Sequence, residues 1–168
     1  MGRRVLAAIF GVPALLVACW TVIAGKDLNW DLLHYHYYVA HSLLAGRGQD
    51  YFAARTESYL NPLGYVPFYL MVDAGWHSVL VSMLLAAVHS ASIGLLYLLS
   101  WRLFAHWPPG SRVTLSVLGA ALGAATAVFW ATAGTSFLDP LLAVPMLGGV
   151  VLLLGARFDL AQMAELQQ

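Results

Sequence analysis

The residues able to do chemistry crowd into one stretch. Asp27, Asp31, His34, Tyr35, His36, Tyr38, His41, Arg47, Arg55, Tyr59 and Asn61 follow one another closely, and a further acid, Asp139, stands far along the chain. A carboxylate beside a hydroxyl can take its proton as that oxygen attacks. Arg47, Arg55 or Lys26 can meet a phosphate through charge-assisted hydrogen bonds. Tyrosine and tryptophan rings offer an apolar body with a polar tip. His34, His36 and His41 are of the right type to hold a metal, yet His34 and His36 fall on different faces of a helix and no acid or cysteine completes a ligand set. No histidine metal site is expected. Cys19 is the single cysteine and can form no disulfide within the chain. Ser42 and Ser58 belong to no nucleophile motif.

These side chains need something to hold them. Residues 30–45 contain neither Gly nor Pro and then meet Gly46, which suits a helix C-terminus. A helix of about four turns is expected there, capped by Asn29 or Asp27. At α-helical spacing Asp31, His34, Tyr35, Tyr38, His41 and Ser42 share one face, whereas Leu32, His36, Val39 and Leu43 share another. Such a helix should lie along a membrane surface, where Trp30, Tyr35, Tyr37 and Tyr38 are at home. The polar turn Arg47-Gly48-Gln49-Asp50 follows. Asn61-Pro62 marks a turn and a restart of helix leading through Pro67 to Met71, with Val66 pushed toward an extended conformation by Pro67.

Composition says what lies on either side of this loop. Of the residues, 61% are hydrophobic and 10% charged, whereas a soluble domain is about a quarter charged. An integral membrane protein is implied. Eight basic residues balance eight acidic ones, so there is no net field to gather nucleic acid. Residues 5–25 carry no charge, and at ~1.5 Å per residue they reach across roughly 30 Å of hydrocarbon. The run continues past Leu16-Val17-Ala18-Cys19, as an uncleaved span requires and a lipoprotein signal does not. Residues 77–104 form a second span. Residues 113–156 are too long for one helix, and Gly134-Thr135-Ser136-Phe137-Leu138-Asp139-Pro140 favours a break. A third span over 113–133 and a fourth over 140–158 follow. Gly119 and Gly123 are expected to serve local helix packing rather than dimerisation.

The expected architecture is therefore all-α: a single membrane domain over 1–168, four transmembrane helices, and an outer loop over 26–76 with an interfacial helix at 30–45. Arg3, Arg4, Arg102, Arg112 and Arg157 fall on one side, which predicts that both termini are cytoplasmic. Asp27, Asp31, Asp50, Glu57, Asp73 and Asp139 fall on the other, where the chemistry is expected.

A first span, an outer loop opening with an acid, and an aromatic-rich surface helix ending near a glycine together resemble the N-terminal part of the GT-C glycosyltransferases, integral-membrane enzymes that use polyprenyl-phosphate sugar donors. Trp30-Asp31-Leu32-Leu33-His34-Tyr35, followed by Ala40, Leu43-Leu44 and Gly46-Arg47, is similar to the Asp-Glu-x-x-Tyr opening of the mannosyl- and arabinosyl-type members. Ser58-Tyr59-Leu60-Asn61-Pro62-Leu63 looks like a segment of bacterial members. The likeness runs over residues 5–158.

The resemblance implies Asp31 as the catalytic acid, with Leu32 standing in the place of the family's second acid. Asp139 falls where related oligosaccharyltransferases carry an acid that helps hold a divalent metal, so Mg or Mn is the implied cofactor. Asp27, His34, Tyr35, Tyr38, Arg47, Arg55, Tyr59, Asn61 and Asp139 are the implied substrate contacts. The implied partners are membrane lipid and a polyprenyl-phosphate sugar donor, and the implied home is a bacterial inner membrane. Members of this superfamily carry further spans, so the chain is expected to be the N-terminal part of a larger fold, inactive alone or completed by a helix partner. The rival expectation is a small non-enzymatic four-helix membrane protein whose outer loop binds a partner or lipid. Under the enzyme reading, Asp31 and Asp139 should converge on one cleft.

Overall fold

The computed structural model describes residues 1–25, 27–48 and 61–165, with side chains to residue 156. Among these residues the secondary structure is entirely helical. Helix α1 (Arg3–Ala24) leads to a π-helical turn (Leu32–His36) that runs directly into α2 (Tyr37–Leu44). A 3-10 turn (Pro62–Tyr65) continues into α3 (Val66–Asp73), and the long α4 (Ser78–Leu103) follows. Then come α5 (Pro109–Ala124), α6 (Ala127–Thr132) and α7 (Leu138–Glu165). Three stretches, Arg3–Ala24, Ser78–Leu103 and Leu138–Ala156, are long and apolar enough to cross a membrane.

Helix α4 is the hub, packed against α1, α5 and α7. Phe10 of α1 abuts Gly94, while Thr21 of α1 and Ser82 of α4 both meet Gly134, so α1 and α4 are antiparallel. Gly119 faces Ser100 and Gly123 faces Leu96, which sets α5 antiparallel to α4 as well. Helix α7 starts beside the 3-10 turn, where Gly64 meets Leu138, and Gly155 reaches Arg102. Residues 27–37, 61–82 and 130–140 therefore gather at one end, the loop end. The start of α1 and residue 155 of α7 lie toward the other.

The packing is that of a membrane bundle. Many of its buried positions are small or polar, among them Ala86, Ala120, Ala133, Ser90, Ser92 and Ser116, with Val17, Val81 and Val151 beside them, whereas Leu15, Leu16, Ile23, Leu152 and Leu153 face outward. Small residues let helices approach where burial of bulk is not the driving force. Three buried hydroxyls are satisfied within their own helices: Ser90 donates to Ala87 O at 2.7 Å, Ser92 to His89 O at 2.7 Å and Ser116 to Arg112 O at 2.7 Å, whereas the buried Ser42 Oγ has no hydrogen-bond partner among the described residues. Gly119 and Gly123 are consumed in the contact with α4, as local packing requires.

Three expectations need correction. The third span is not one helix over 113–133: α5 ends at Ala124 and α6 restarts at Ala127. Thr126, extended at φ −77 and ψ 135, caps α6 by accepting from Phe129 N–H. The restart lets Trp130 meet Trp20, whose indole Nε1–H donates to Trp130 O at 3.1 Å. Val66 is helical (φ −56, ψ −46) instead of extended, because Pro67 sits in the first turn of α3, where no intrahelical N–H is needed. A helix does form over residues 30–44, but its π-helical turn redistributes its faces. Tyr35, His36, Val39, Ala40 and Ser42 are all buried, mixing the two faces expected of a regular α-helix.

Candidate functional site

Hydrogen bonding starts the loop end at Asn29, whose side-chain oxygen accepts from Leu32 N–H at 2.7 Å and caps the helix. Five-residue hydrogen-bonded turns then set the register over Leu32–His36. A π-helical turn closes i→i+5 bonds and rotates less per residue than an α-helix, so residues five apart diverge less around its axis. Asp31 and His36 are five apart, and Asp31 comes first among the carboxylates that act on the His36 imidazole.

His36 is the centre of the site and only 1% exposed. Its Nδ1 shares a hydrogen bond of 2.7 Å with Ser136 Oγ, in the turn before α7. Its ring stacks on Tyr65 at 4.5 Å between centroids and meets Phe137 edge-on at 5.3 Å. Burial holds the imidazole below the ordinary histidine value of 6.5, while Asp31, Asp27 and Asp139 pull it the other way. The Tyr65 phenol is pushed far above its usual range by burial, and by Tyr35, Asp139 and Asp31, so it stays a neutral O–H.

Three acids from two distant parts of the chain thus act electrostatically on one histidine. Asp31 is half-buried and Asp139 exposed; both act on His36 and on Tyr65. Asp27 has a different position. Its Oδ2 accepts from Ser136 N–H at 2.7 Å, and its Oδ1 accepts from the Asn29 side-chain amide. Asp27 therefore fastens the loop to the turn before α7, and it also lines a groove of about 370 Å³. Leu28, Leu32, Leu33, Phe68, Val72 and Trp76 make most of the groove wall, with Ser82 and Gly134 at its base.

The remaining expected site residues are placed as follows. Tyr35 is buried beside His36, their rings edge-on at 4.6 Å, and Tyr38 is half-buried on α2. His34 is exposed, stacked on Trp30 at 3.9 Å and bonded through Nδ1 to Trp30 O at 2.6 Å, outside the cluster. Arg47 is exposed just past the helix end. Asn61 accepts from Leu63 N–H at 3.0 Å and caps the 3-10 turn. Arg55 and Tyr59 lie outside the described residues, as does Lys26.

Sequence reasoning passed over His36, Tyr65 and Ser136 as site residues. No spacing in the sequence pairs position 36 with position 136 or with position 65. Among the described residues, no three His, Cys, Asp or Glu side chains surround one point as metal ligands. The set present does not by itself fit Mg or Mn. Set beside known protein families, curated proteins and solved structures, the chain matches none.

Proposed function

We propose that this chain is a GT-C-like membrane glycosyltransferase module that moves a sugar from a polyprenyl-phosphate donor to an acceptor hydroxyl at its loop end. The observation that supports this best is that Asp31 and Asp139, distant along the chain, both act on buried His36, whose helical turn borders a groove walled by apolar side chains. In this reading residues 109–132 form an interrupted third crossing between α4 and α7, making four in all. The arginines at the opposite end keep both termini in the cytoplasm of a bacterium, and the loop end faces away from it.

The chemistry is an inverting displacement. Asp31 takes the proton of the acceptor hydroxyl as its oxygen bonds to the anomeric carbon, and the bond from that carbon to the phosphate oxygen breaks. Polyprenyl phosphate leaves, with Arg47 as a cation within the loop to meet its charge. The isoprenoid chain lies in the groove of Leu28, Leu32, Leu33, Phe68 and Val72, which leads into the bilayer. His36 and Tyr65 hold the Asp31 turn in register.

Transfer from a polyprenyl-phosphate sugar in membranes carrying the chain, together with any helix partner it needs, tests this. Asp31→Asn should lower the rate by on the order of 10²–10⁴-fold without lowering the amount of folded protein. Undiminished transfer by that variant would sink the proposal. A second reading, a non-enzymatic membrane protein whose loop binds a partner or lipid, draws support from Asp27, whose carboxylate is spent on fastening the loop. It predicts that Asp31→Asn changes nothing measurable.

A further inference from the structure

The interruption between α5 and α6 is a physical problem that the isolated chain does not solve. Gly119 packs on Ser100 and Gly123 on Leu96, so the break over 125–126 lies level with about Gly94 of α4. At ~1.5 Å per residue that is roughly 12 Å inside Arg102, within the hydrocarbon depth if α4 crosses the membrane. Only part of the broken ladder is repaired. Ala125 N–H donates to Leu122 O at 3.3 Å, and Phe129 N–H donates to Thr126 Oγ1 at 3.3 Å. The other carbonyls ending α5 and the first N–H groups of α6 have no partner within their helices. Ala125, Thr126 and Ala127 are all exposed. Non-helical backbone at this depth persists only where protein covers it or water lines it.

The surroundings of the break suit close contact with another backbone. Val117, Ala121, Ala125 and Val128 follow one another at helical spacing and are all exposed. Ala121 and Ala125 are small residues four apart, the spacing that lets helices approach in a membrane. The neighbouring Gly119 and Gly123 row is already occupied by α4, so this second row is the one left outward.

We infer that this face is covered by the same face of a second copy of the chain, in a twofold dimer with its axis along the membrane normal. Symmetry brings the two breaks to one depth. Each break presents both acceptors, from the end of α5, and donors, from the start of α6, so the surface is complementary to itself, as a twofold interface must be. An unbroken helix of another protein has its backbone groups satisfied and could return only side chains. The inference rests on residues 109–132 crossing the membrane and is independent of the sugar-transfer chemistry.

Cysteine cross-linking of the full chain in membranes tests it. Cys19 is first replaced by Ala, and single cysteines are introduced as Ala125→Cys, Val128→Cys, Leu16→Cys and Leu153→Cys. Under copper-phenanthroline oxidation the first two should shift from 18.2 kDa to twice that mass, while the α1 and α7 positions remain monomeric. A photo-reactive amino acid at Leu122 reads the same contact should a cysteine variant fail to accumulate. Monomer alone at positions 125, 128 and 122 overturns the inference. So does cross-linking to a protein of another mass, or labelling of position 125 by a membrane-impermeant maleimide, which would place water at the break.

Discussion

His36 shows how one side chain ties distant residues together and exposes the fold to pH. It is buried, bonded to Ser136, and held below the usual histidine value chiefly by loss of solvent. The unfolded chain therefore binds a proton on this residue more readily than the folded one, and stability rises with pH in the window between the two values. The contribution is whole above about 6.5 and declines as pH falls below it. Hydrogen-exchange protection factors of residues 30–44, taken relative to the intrinsic rate at each pH, should fall on acidification through pH 6.5, and His36→Gln should remove that fall. Protection factors that do not change with pH in the wild type would contradict the buried neutral imidazole. Asp27 is a second residue whose role follows from its partners. Removing a carboxylate hydrogen-bonded to a backbone N–H costs about 1.5–3 kcal/mol, so Asp27→Ala should lower the melting temperature even where Asp31→Asn does not.

At the scale of elements, the turn over residues 133–137 joins more of the protein than its length suggests. Gly134 has φ +76, and its N–H donates to Nδ1 of His89 on α4 at 3.2 Å. A Cβ there would lie 2.8 Å from the Ser82 carbonyl oxygen and against Thr21 of α1. Gly134→Ala adds left-handed backbone strain to a steric clash between three helices, together about 1–3 kcal/mol. It should lower thermal stability in detergent and loosen the Asp27 and His36 attachments to Ser136. A melting temperature equal to wild type would show that the turn gives way without cost. The π-helical turn is the other deciding element. It shifts the register of Asp31 and His36 from that of a regular α-helix, and Tyr35 and His36 are both buried within it.

For the whole molecule, the arrangement is a hub helix, α4, with two antiparallel neighbours, α1 and α5, a parallel one, α7, and a loop domain seated on one end. The positive charges outside the loop lie at the other end, at Arg3, Arg4, Arg102 and Arg112. The proposed orientation is checked by reporters: green fluorescent protein fused after Gln168 should fluoresce, while alkaline phosphatase inserted after Gly48 should be active outside the cytoplasm. The reverse pattern would invert the molecule and place the three acids on the cytoplasmic side.

Much of this was legible in the sequence because membrane burial acts on long uniform runs. The uncharged stretch over 5–25, the apolar run before Trp101 and the Gly134 to Pro140 interruption each announce a helix or its end through local chemistry alone. Asn29 as a cap and Gly119 with Gly123 as a packing row are local signals too. What tertiary structure decided was which face of a helix looks where. Nothing in Leu32-Leu33-His34-Tyr35-His36 distinguishes a π-helical turn from an α-helical one, since the choice depends on Tyr65, Phe137 and Ser136 arriving from elsewhere to stack on and bond to His36. The Thr126 restart is likewise set by where Trp130 must reach Trp20. Periodicity reports a helix's interaction with an averaged environment, solvent or lipid, whereas a site is made by particular partners, and these meet only once the chain has folded.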